Sequence, residues 1–233
     1  MEALFSRVGL ADIHQNLARN IVSLRQSQNL FDDLSDDPAD WQRAQGVEDA
    51  VKPPTYQSNT PVIHRPFEDA AWFNAIGYPF QHWQASRFSD GRFGIWYGSD
   101  SIETTVHETV HHWLTGLLDD AGFRRVGVIA ERKVYWVRCD AALVDLRPLA
   151  PDYPDLVHPT DYRFTQAIGA RLHREGHPGL ATRSARCPGD NFALLNPNLL
   201  STPQIACHLT YRTTARGVQV EKQVGKTWLR IPA

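Results

Sequence analysis

Runs of strand-forming residues in the C-terminal half limit the fold more than any other feature of this 233-residue chain. They are rich in Val, Ile, Tyr, Trp and Thr, and turn-forming residues separate them. The predicted strands cover residues 93–97, 125–138, 143–146, 179–184, 191–195, 205–211 and 217–231, the last interrupted at Gly225-Lys226. Helices are predicted over 99–118 and from 160 to about 175, so they do not alternate regularly with the strands. This order favours an α+β fold over a doubly wound parallel sheet.

The N-terminal residues show a different pattern. Apolar residues recur at intervals of three and four, which predicts an amphipathic helix over residues 9–28; they are Leu10, Ile13, Leu17, Ile21 and Leu24. The acidic stretch 32–40 predicts a turn and a short second helix, and the prolines of 52–61 indicate a linker. We therefore expect residues 1–55 to be a helical appendage with a linker, and residues 56–233 to be the main domain.

Charge and cysteine content limit the class of protein. The net charge is −2, from 24 basic and 26 acidic residues, so nothing favours direct nucleic-acid binding or an anionic membrane. No apolar run approaches the roughly 18 residues of a membrane span, and the first residues lack the pattern of a secretory signal. Cys139, Cys187 and Cys207 are widely spaced, which is typical of unpaired thiols in a reducing compartment. These features predict a soluble cytoplasmic protein.

Glu108, in the segment 107–112, belongs to two different sequence patterns, and the first is that of a zinc hydrolase. His107, Glu108 and His111 form an H-E-x-x-H pattern, which places two imidazoles one helical turn apart and suits a zinc hydrolase. The extended form of that motif needs a glycine and a third histidine, but Leu114 and Leu117 occupy those positions. The zinc hydrolase therefore remains an alternative without an identified third ligand.

Helical periodicity places Glu108 away from the protein core. One face of the predicted helix is apolar and must be buried; it carries Ile102, Val106, Val110, Trp113 and Leu117. Glu108 lies nearly opposite, on the face of Thr104, Thr105, His112 and Thr115. The carboxylate must then face solvent, a partner or a cleft.

The residues around Glu108 fit a longer pattern. Arg87, Gly91, Gly94 and Tyr97 precede Thr104, Glu108 and His112, and a later element contains Ser184, Arg186, Gly189 and Asn191. In order and spacing, these residues resemble the RES-domain toxins over about residues 62–215. Thr105 replaces the usual alanine, and His111 stands where an aromatic residue is common.

The resemblance implies an α+β fold related to ADP-ribosyltransferases, with a mixed or antiparallel sheet and flanking helices. It implies a toxin that cleaves the nicotinamide–ribose bond of NAD, with NAD as substrate rather than as cofactor, and an Xre-type helix-turn-helix antitoxin that blocks the cleft. The implied catalytic residues are Arg87, Tyr97, Glu108 and Ser184. The expected substrate-binding residues are Arg65, Arg87, Tyr97, His112, Ser184, Arg186 and Asn191.

The chemistry of these side chains suits a dinucleotide. A carboxylate such as Glu108 stabilises the positive charge that develops on the ribose, and an arginine, first Arg87, holds pyrophosphate with paired hydrogen bonds. Tyr97 can stack on the nicotinamide, and the Ser184 hydroxyl can bind its amide or a phosphate oxygen. Water, phosphate and a protein side chain all stay open as acceptors. A non-enzymatic interaction module and a homo-oligomer also remain open.

Overall fold

The computed structural model describes residues 1–23, 70–118 and 125–232. Its α-helices are α1 (Glu2–Phe5), α2 (Tyr78–Gln81), α3 (Ile102–His112) and α4 (Arg163–Arg174). π-helical segments at Phe73–Gly77 and Trp113–Leu118 adjoin α2 and α3, and short 3-10 turns lie at Arg147–Leu149, Pro154–Val157 and Pro197–Leu199. The strands are β1 (Gly9–Val22), β2 (Trp96–Ser99), β3 (Ile129–Asp145), β4 (Gly179–Arg183), β5 (Asp190–Leu194), β6 (Leu200–Thr214), β7 (Gly217–Gln223) and β8 (Lys226–Pro232).

These strands form one mostly antiparallel sheet in the order β1-β2-β5-β4-β3-β6-β7-β8. Of the pairings between the described strands, that of β3 with β4 is parallel. β1 also pairs with β3 along its whole length, so β1, β2, β5, β4 and β3 close into a ring. A mostly antiparallel sheet with few helices confirms the predicted α+β class.

The prediction of a helix over residues 9–28 is wrong for residues 9–22, which form β1. Ile13, Leu17 and Ile21 are four residues apart, and a four-residue interval keeps side chains on one face of a strand as well as of a helix. Leu10, which fits the helical pattern alone, is 70% exposed. The periodicity was therefore ambiguous, and pairing with β3 decides the structure.

The N-terminal residues also belong to the sheet rather than to a helical appendage. Residues 1–23 form one compact unit with residues 71–233. The predicted second helix and linker, at 32–40 and 52–61, lie outside the described residues. The domain boundary at residue 55 lies there as well and stays a prediction.

The predicted helix over 99–118 is confirmed as α3 and the π-helical segment that continues it. Ser101, rather than Ser99 or Asp100, caps its N-terminus by accepting a hydrogen bond from the amide of Thr104. Val106, Val110 and Trp113 are buried as predicted. Thr104 and Thr105 are buried too, so the opposite face of α3 is also covered in its first turn.

Most predicted strands are confirmed with altered bounds. The predicted runs 125–138 and 143–146 belong to one strand, β3, and the predicted strand 93–97 starts three residues later as β2. The helix predicted from residue 160 is α4, and Gly176 follows it with φ +75°, where glycine is favoured. Cys139, Cys187 and Cys207 are free thiols. Within the described residues, no helix is long and apolar enough to cross a membrane.

Candidate active site

A cleft of about 200 Å³ lies where the strand ring meets one side of α3. β1, the loop before β2, β2 itself, α3, β4 and β5 all contribute to its wall. The lining residues are Ala18, Arg19, Asn20, Ser86, Arg87, Phe88, Tyr97, Gly98, Ser99, Thr105, Glu108, Thr109, His112, Thr182, Asn191 and Ala193. A cavity of this size encloses part of a dinucleotide, so the remainder of such a ligand would extend towards solvent.

The Glu108 carboxylate is held through one of its two oxygens. Its Oε1 accepts a hydrogen bond of 2.6 Å from the Ser184 hydroxyl and one of 2.7 Å from the Asn191 side-chain amide. Oε2 accepts no hydrogen bond from the residues that the structure describes. Hydrogen bonds to a charged group are strong and directional, so the two donors fix the carboxylate while leaving one oxygen available.

Both donors to Glu108 are themselves held in place. Ser99, at the end of β2, pairs with Asn191 of β5 and donates to its side-chain carbonyl at 2.6 Å, which turns the Asn191 amide nitrogen towards Glu108. The Ser184 hydroxyl accepts hydrogen bonds from the backbone amides of Arg186 and Cys187. Its proton is thereby directed at Glu108. The glutamate position therefore depends on β2, β5 and the loop after β4.

Tyr97 fixes the loop that carries Arg87. Its hydroxyl lies 2.8 Å from the Ser86 hydroxyl and accepts a hydrogen bond from the Phe88 amide at 3.0 Å. Burial raises the pKa of Tyr97 to about 12. The phenol is therefore protonated at neutral pH and does not act as a base.

Arg87 reaches the cleft from that loop. Its guanidinium donates to the His158 carbonyl at 2.8 Å and lies 4.5 Å above the Tyr162 ring. Burial is the main influence on the pKa of Arg87 and lowers it, while the charges of Tyr162 and Glu108 act in the opposite direction. The planar face is occupied by an aromatic ring, an arrangement that restricts the side chain to one orientation.

Two histidines of α3 lie beside Glu108, and both are hard to protonate. Desolvation, followed by the charge of Arg186, lowers the pKa of His111 to about 4. Part of His112 reaches solvent, yet desolvation lowers its pKa as well. Both rings are neutral at pH 7. Arg186 lies 2.8 Å from His111 Nε2 and also donates to the Pro159 carbonyl, so it links α3 to the segment before α4.

Arg19 is a cleft residue that the sequence analysis missed, because residues 9–28 were predicted to be helical and separate from the main domain. The side chain extends from β1 and donates to the Tyr97 carbonyl at 2.8 Å. Its neighbour Asn20 is buried and donates to Tyr211 Oη at 2.8 Å and to Thr109 Oγ1 at 3.2 Å, which ties β1 to α3 and β6. A strand pattern for 13, 17 and 21 would have placed Arg19 on that same face of β1.

Comparison with known proteins identifies the family to which this chain belongs. A family model described as the RES domain matches residues 60–214. The chain belongs to the RES-domain family. No curated protein matches the RES-domain chain. Among solved structures it matches a chain described as "Crystal structure of the M.tuberculosis MbcT-MbcA toxin-antitoxin complex", with 14% identity, 90% of each chain covered and a TM-score of 0.47.

The structure brings most of the predicted residues of the RES domain together. Arg87, Tyr97, Glu108, His112 and Asn191 all line the cleft. Ser184 lies behind Glu108, and its hydroxyl is directed at the carboxylate instead of being free for a nicotinamide amide or a phosphate. Arg186 lies next to His111 Nε2 and is not among the residues that line the cleft. The position of Arg65 falls outside the described residues.

The two glycines of the first RES motif have structural roles. Gly91 directly follows Asp90, which forms a β-bridge with Ala85, and has φ +94°, a conformation that favours glycine. A Cβ at Gly94 would lie 2.4 Å from the Pro79 carbonyl oxygen, so a side chain there is excluded by close packing. Neither glycine lines the cleft.

His111 of the H-E-x-x-H pattern is already in contact with another side chain. Arg186 approaches His111 Nε2, and a cation at that nitrogen competes with a metal ion. Over residues 1–23, 70–118 and 125–232, no group of three or more His, Cys, Asp or Glu side chains is placed to hold a metal ion.

Proposed function

We propose that this protein cleaves the nicotinamide–ribose bond of NAD. The observation that carries the proposal is the Glu108 carboxylate, which is fixed through Oε1 and has Oε2 available in a cleft that Arg87 also lines. Membership of the RES-domain family supports the same activity, because the sequence motif and the cleft contain the same residues.

Glu108 would act on the ribose. As the bond to nicotinamide breaks, positive charge develops at the sugar carbon, and a fixed carboxylate stabilises that charge without having to reorient. Oε2 can also accept a proton from a ribose hydroxyl or orient the attacking oxygen. Ser184 and Asn191 serve this step by holding the carboxylate in position.

Arg87 and Tyr97 would bind the substrate. Arg87 supplies the guanidinium that pairs with a phosphate oxygen, and the Tyr162 ring keeps it in one orientation. The Tyr97 ring lines the cleft, while its hydroxyl holds the loop that carries Arg87. The two neutral histidines beside Glu108 avoid placing further positive charge next to a cationic transition state.

The decisive experiment measures nicotinamide release from NAD by the purified protein, with and without a chelator. Glu108→Gln keeps the size of the side chain and should reduce release at least about a thousandfold, since the largest electrostatic contribution is lost. Circular dichroism should show an unchanged fold. Release at the full rate by Glu108→Gln and by Arg87→Ala would overturn the proposal.

The same assay separates the alternatives. Release that is unaffected by chelator contradicts a zinc hydrolase, whereas activity lost with chelator and with His107→Ala supports one. Products identify the acceptor: ADP-ribose indicates water, ADP-ribose 1″-phosphate indicates phosphate, and labelled protein indicates a side chain. A folded protein without NAD turnover would be an interaction module.

We also propose that the protein acts as a toxin in the cytoplasm and that an Xre-type antitoxin covers the cleft. The RES-domain motif supports this proposal, because enzymes that consume the cell's NAD need an inhibitor. Expression of the wild-type chain should lower cellular NAD and arrest growth, and Glu108→Gln should do neither. Growth arrest that persists with Glu108→Gln would contradict NAD depletion as the cause.

A further inference from the structure

Arg19 is a charged residue of the cleft without a counter-charge from the described chain. Its guanidinium donates to the Tyr97 carbonyl, and its carbon Cζ lies 5.6 Å from the centre of the Trp96 ring. Its Nε is fully buried and has no hydrogen-bond acceptor within the described residues. No acidic side chain of the described ranges forms an ion pair with it. A desolvated charge without such a partner is costly, so it needs a compensating anion or a functional reason.

A second arginine increases the positive potential at this wall. Arg132 of β3 binds Asn20 of β1 through its side-chain and backbone oxygens, at 3.0 and 3.2 Å. Burial, followed by the charge of Arg132, lowers the pKa of Arg19 to about 10. The Arg19 guanidinium is therefore still charged at neutral pH, and its affinity for an anion is increased by the low dielectric around it.

The charges of the cleft lining complement those of NAD. Arg19 and Arg87 are the arginines among the lining residues, and Glu108 is the carboxylate. NAD carries one negative charge on each phosphate and one positive charge on the nicotinamide ring. Tyr97 connects the two arginines. Its carbonyl accepts a hydrogen bond from Arg19, and its hydroxyl holds the loop that carries Arg87.

We propose that Arg19 of β1 is a phosphate-binding residue of the cleft and contacts the pyrophosphate of the dinucleotide together with Arg87. This inference rests on the proposed function for the identity of the dinucleotide. It assigns a substrate contact to a residue that precedes the segment matched by the RES-domain model, residues 60–214. The N-terminal strand is then part of the binding site as well as of the sheet.

Calorimetric titration with ADP-ribose and with inorganic pyrophosphate tests this role without any need for turnover. Arg19→Gln keeps a donor for the Tyr97 carbonyl but removes the charge, and it should weaken both ligands at least tenfold. Arg19→Lys keeps the charge and should bind better than Arg19→Gln. Arg138→Gln is the matched control, because Arg138 lies on β3 outside the cleft lining and pairs with Asp140.

Salt dependence distinguishes a phosphate contact from a structural role. The affinity of the wild-type protein for ADP-ribose should fall as sodium chloride is added, and the fall should be shallower for Arg19→Gln, because one screened contact is gone. Melting temperatures of both Arg19 variants report whether the fold is retained. If Arg19→Gln is unfolded, the affinities of Arg19→Lys and of the wild-type protein for the two ligands are compared instead.

Three results would overturn the proposal: a wild-type protein that binds neither ligand, wild-type affinity in folded Arg19→Gln, or an Arg19→Lys variant that binds no better than Arg19→Gln. Failure of the proposed function gives a different result. In that case the protein binds ADP-ribose through Arg19 but releases no nicotinamide from NAD.

Discussion

Glu108 illustrates how a single side chain depends on distant parts of the chain. Ser184, Ser99 and Asn191 come from the loop after β4, from β2 and from β5, and together they determine where one carboxylate oxygen lies. From the sequence, Ser184 and Asn191 are predicted to bind the substrate, whereas in the structure both donate to Glu108. Their spacing along the chain gives no indication that both donate to the same oxygen.

We expect Ser184→Ala to lower kcat for nicotinamide release by about tenfold to a hundredfold with little change in KM. A hydrogen bond to a charged group contributes about 1.5–3 kcal/mol, and about 1.4 kcal/mol corresponds to a factor of ten in rate. Steady-state kinetics measure the effect. Ser184→Thr should restore most of the rate, and Ser201→Ala, at an exposed site on β6, should be neutral. An unchanged kcat in Ser184→Ala would show that this donor does not position Glu108.

At the scale of elements, β1 is the part that sequence analysis assigned to the wrong structure. It lies between β2 and β3 and carries Arg19 and Asn20 into the cleft. A strand in this position must bury one face, and Leu17 is fully buried there, whereas Leu10 is exposed.

Leu17→Ala should therefore reduce the free energy of unfolding by about 2–5 kcal/mol, the usual cost of removing a buried leucine side chain. Leu10→Ala, on the same strand, should change it by less than about 0.5 kcal/mol. Urea denaturation followed by tryptophan fluorescence provides the measurement. Equal effects of the two substitutions would be inconsistent with the burial pattern of a strand.

Some elements were predictable and others were not, for physical reasons. The strands from β4 to β8 are bounded by glycine and polar residues, and α3 has an apolar face with a serine cap, so local sequence defines them. For residues 13, 17 and 21 the helical and strand patterns coincide, and only pairing with β3 distinguishes them. Contacts between residues far apart in sequence are not encoded in local periodicity. This is why Arg87, Tyr97 and Glu108 were predicted to lie at the site and Arg19, which lines the same cleft, was not.

The stability of the whole molecule depends on the protonation of His111, a side chain of α3. His111 has a pKa of about 4 in the fold, against 6.5 for the ordinary side chain, because the folded environment desolvates it and Arg186 lies nearby. Between these values the unfolded chain binds more protons than the folded protein. Unfolding is then favoured as the pH falls from 6.5 towards 4.

We expect the free energy of unfolding to rise with pH between about 4 and 6.5, and His111→Gln to flatten this rise. Glutamine retains an acceptor for Arg186 but does not titrate. His14 serves as the comparison, because Asp140 and Asp12 raise its pKa. Its contribution to the free energy of unfolding is lost only as the pH increases above 6.5. His14→Gln should leave the slope between 4 and 6.5 unchanged. A His111→Gln slope equal to that of wild type would contradict the prediction.

The closed ring of strands has a consequence for synthesis on the ribosome. β1 is made first, but its partner residues in β3 follow more than a hundred positions later, and Asn191 in β5 later still. Contacts of such large sequence separation form slowly and late. The cleft joins Arg19 to Asn191, so a nascent chain shorter than about two hundred residues cannot contain it. Under the proposed function, cleavage of NAD can therefore begin only after β5 has been synthesised and has paired with β2.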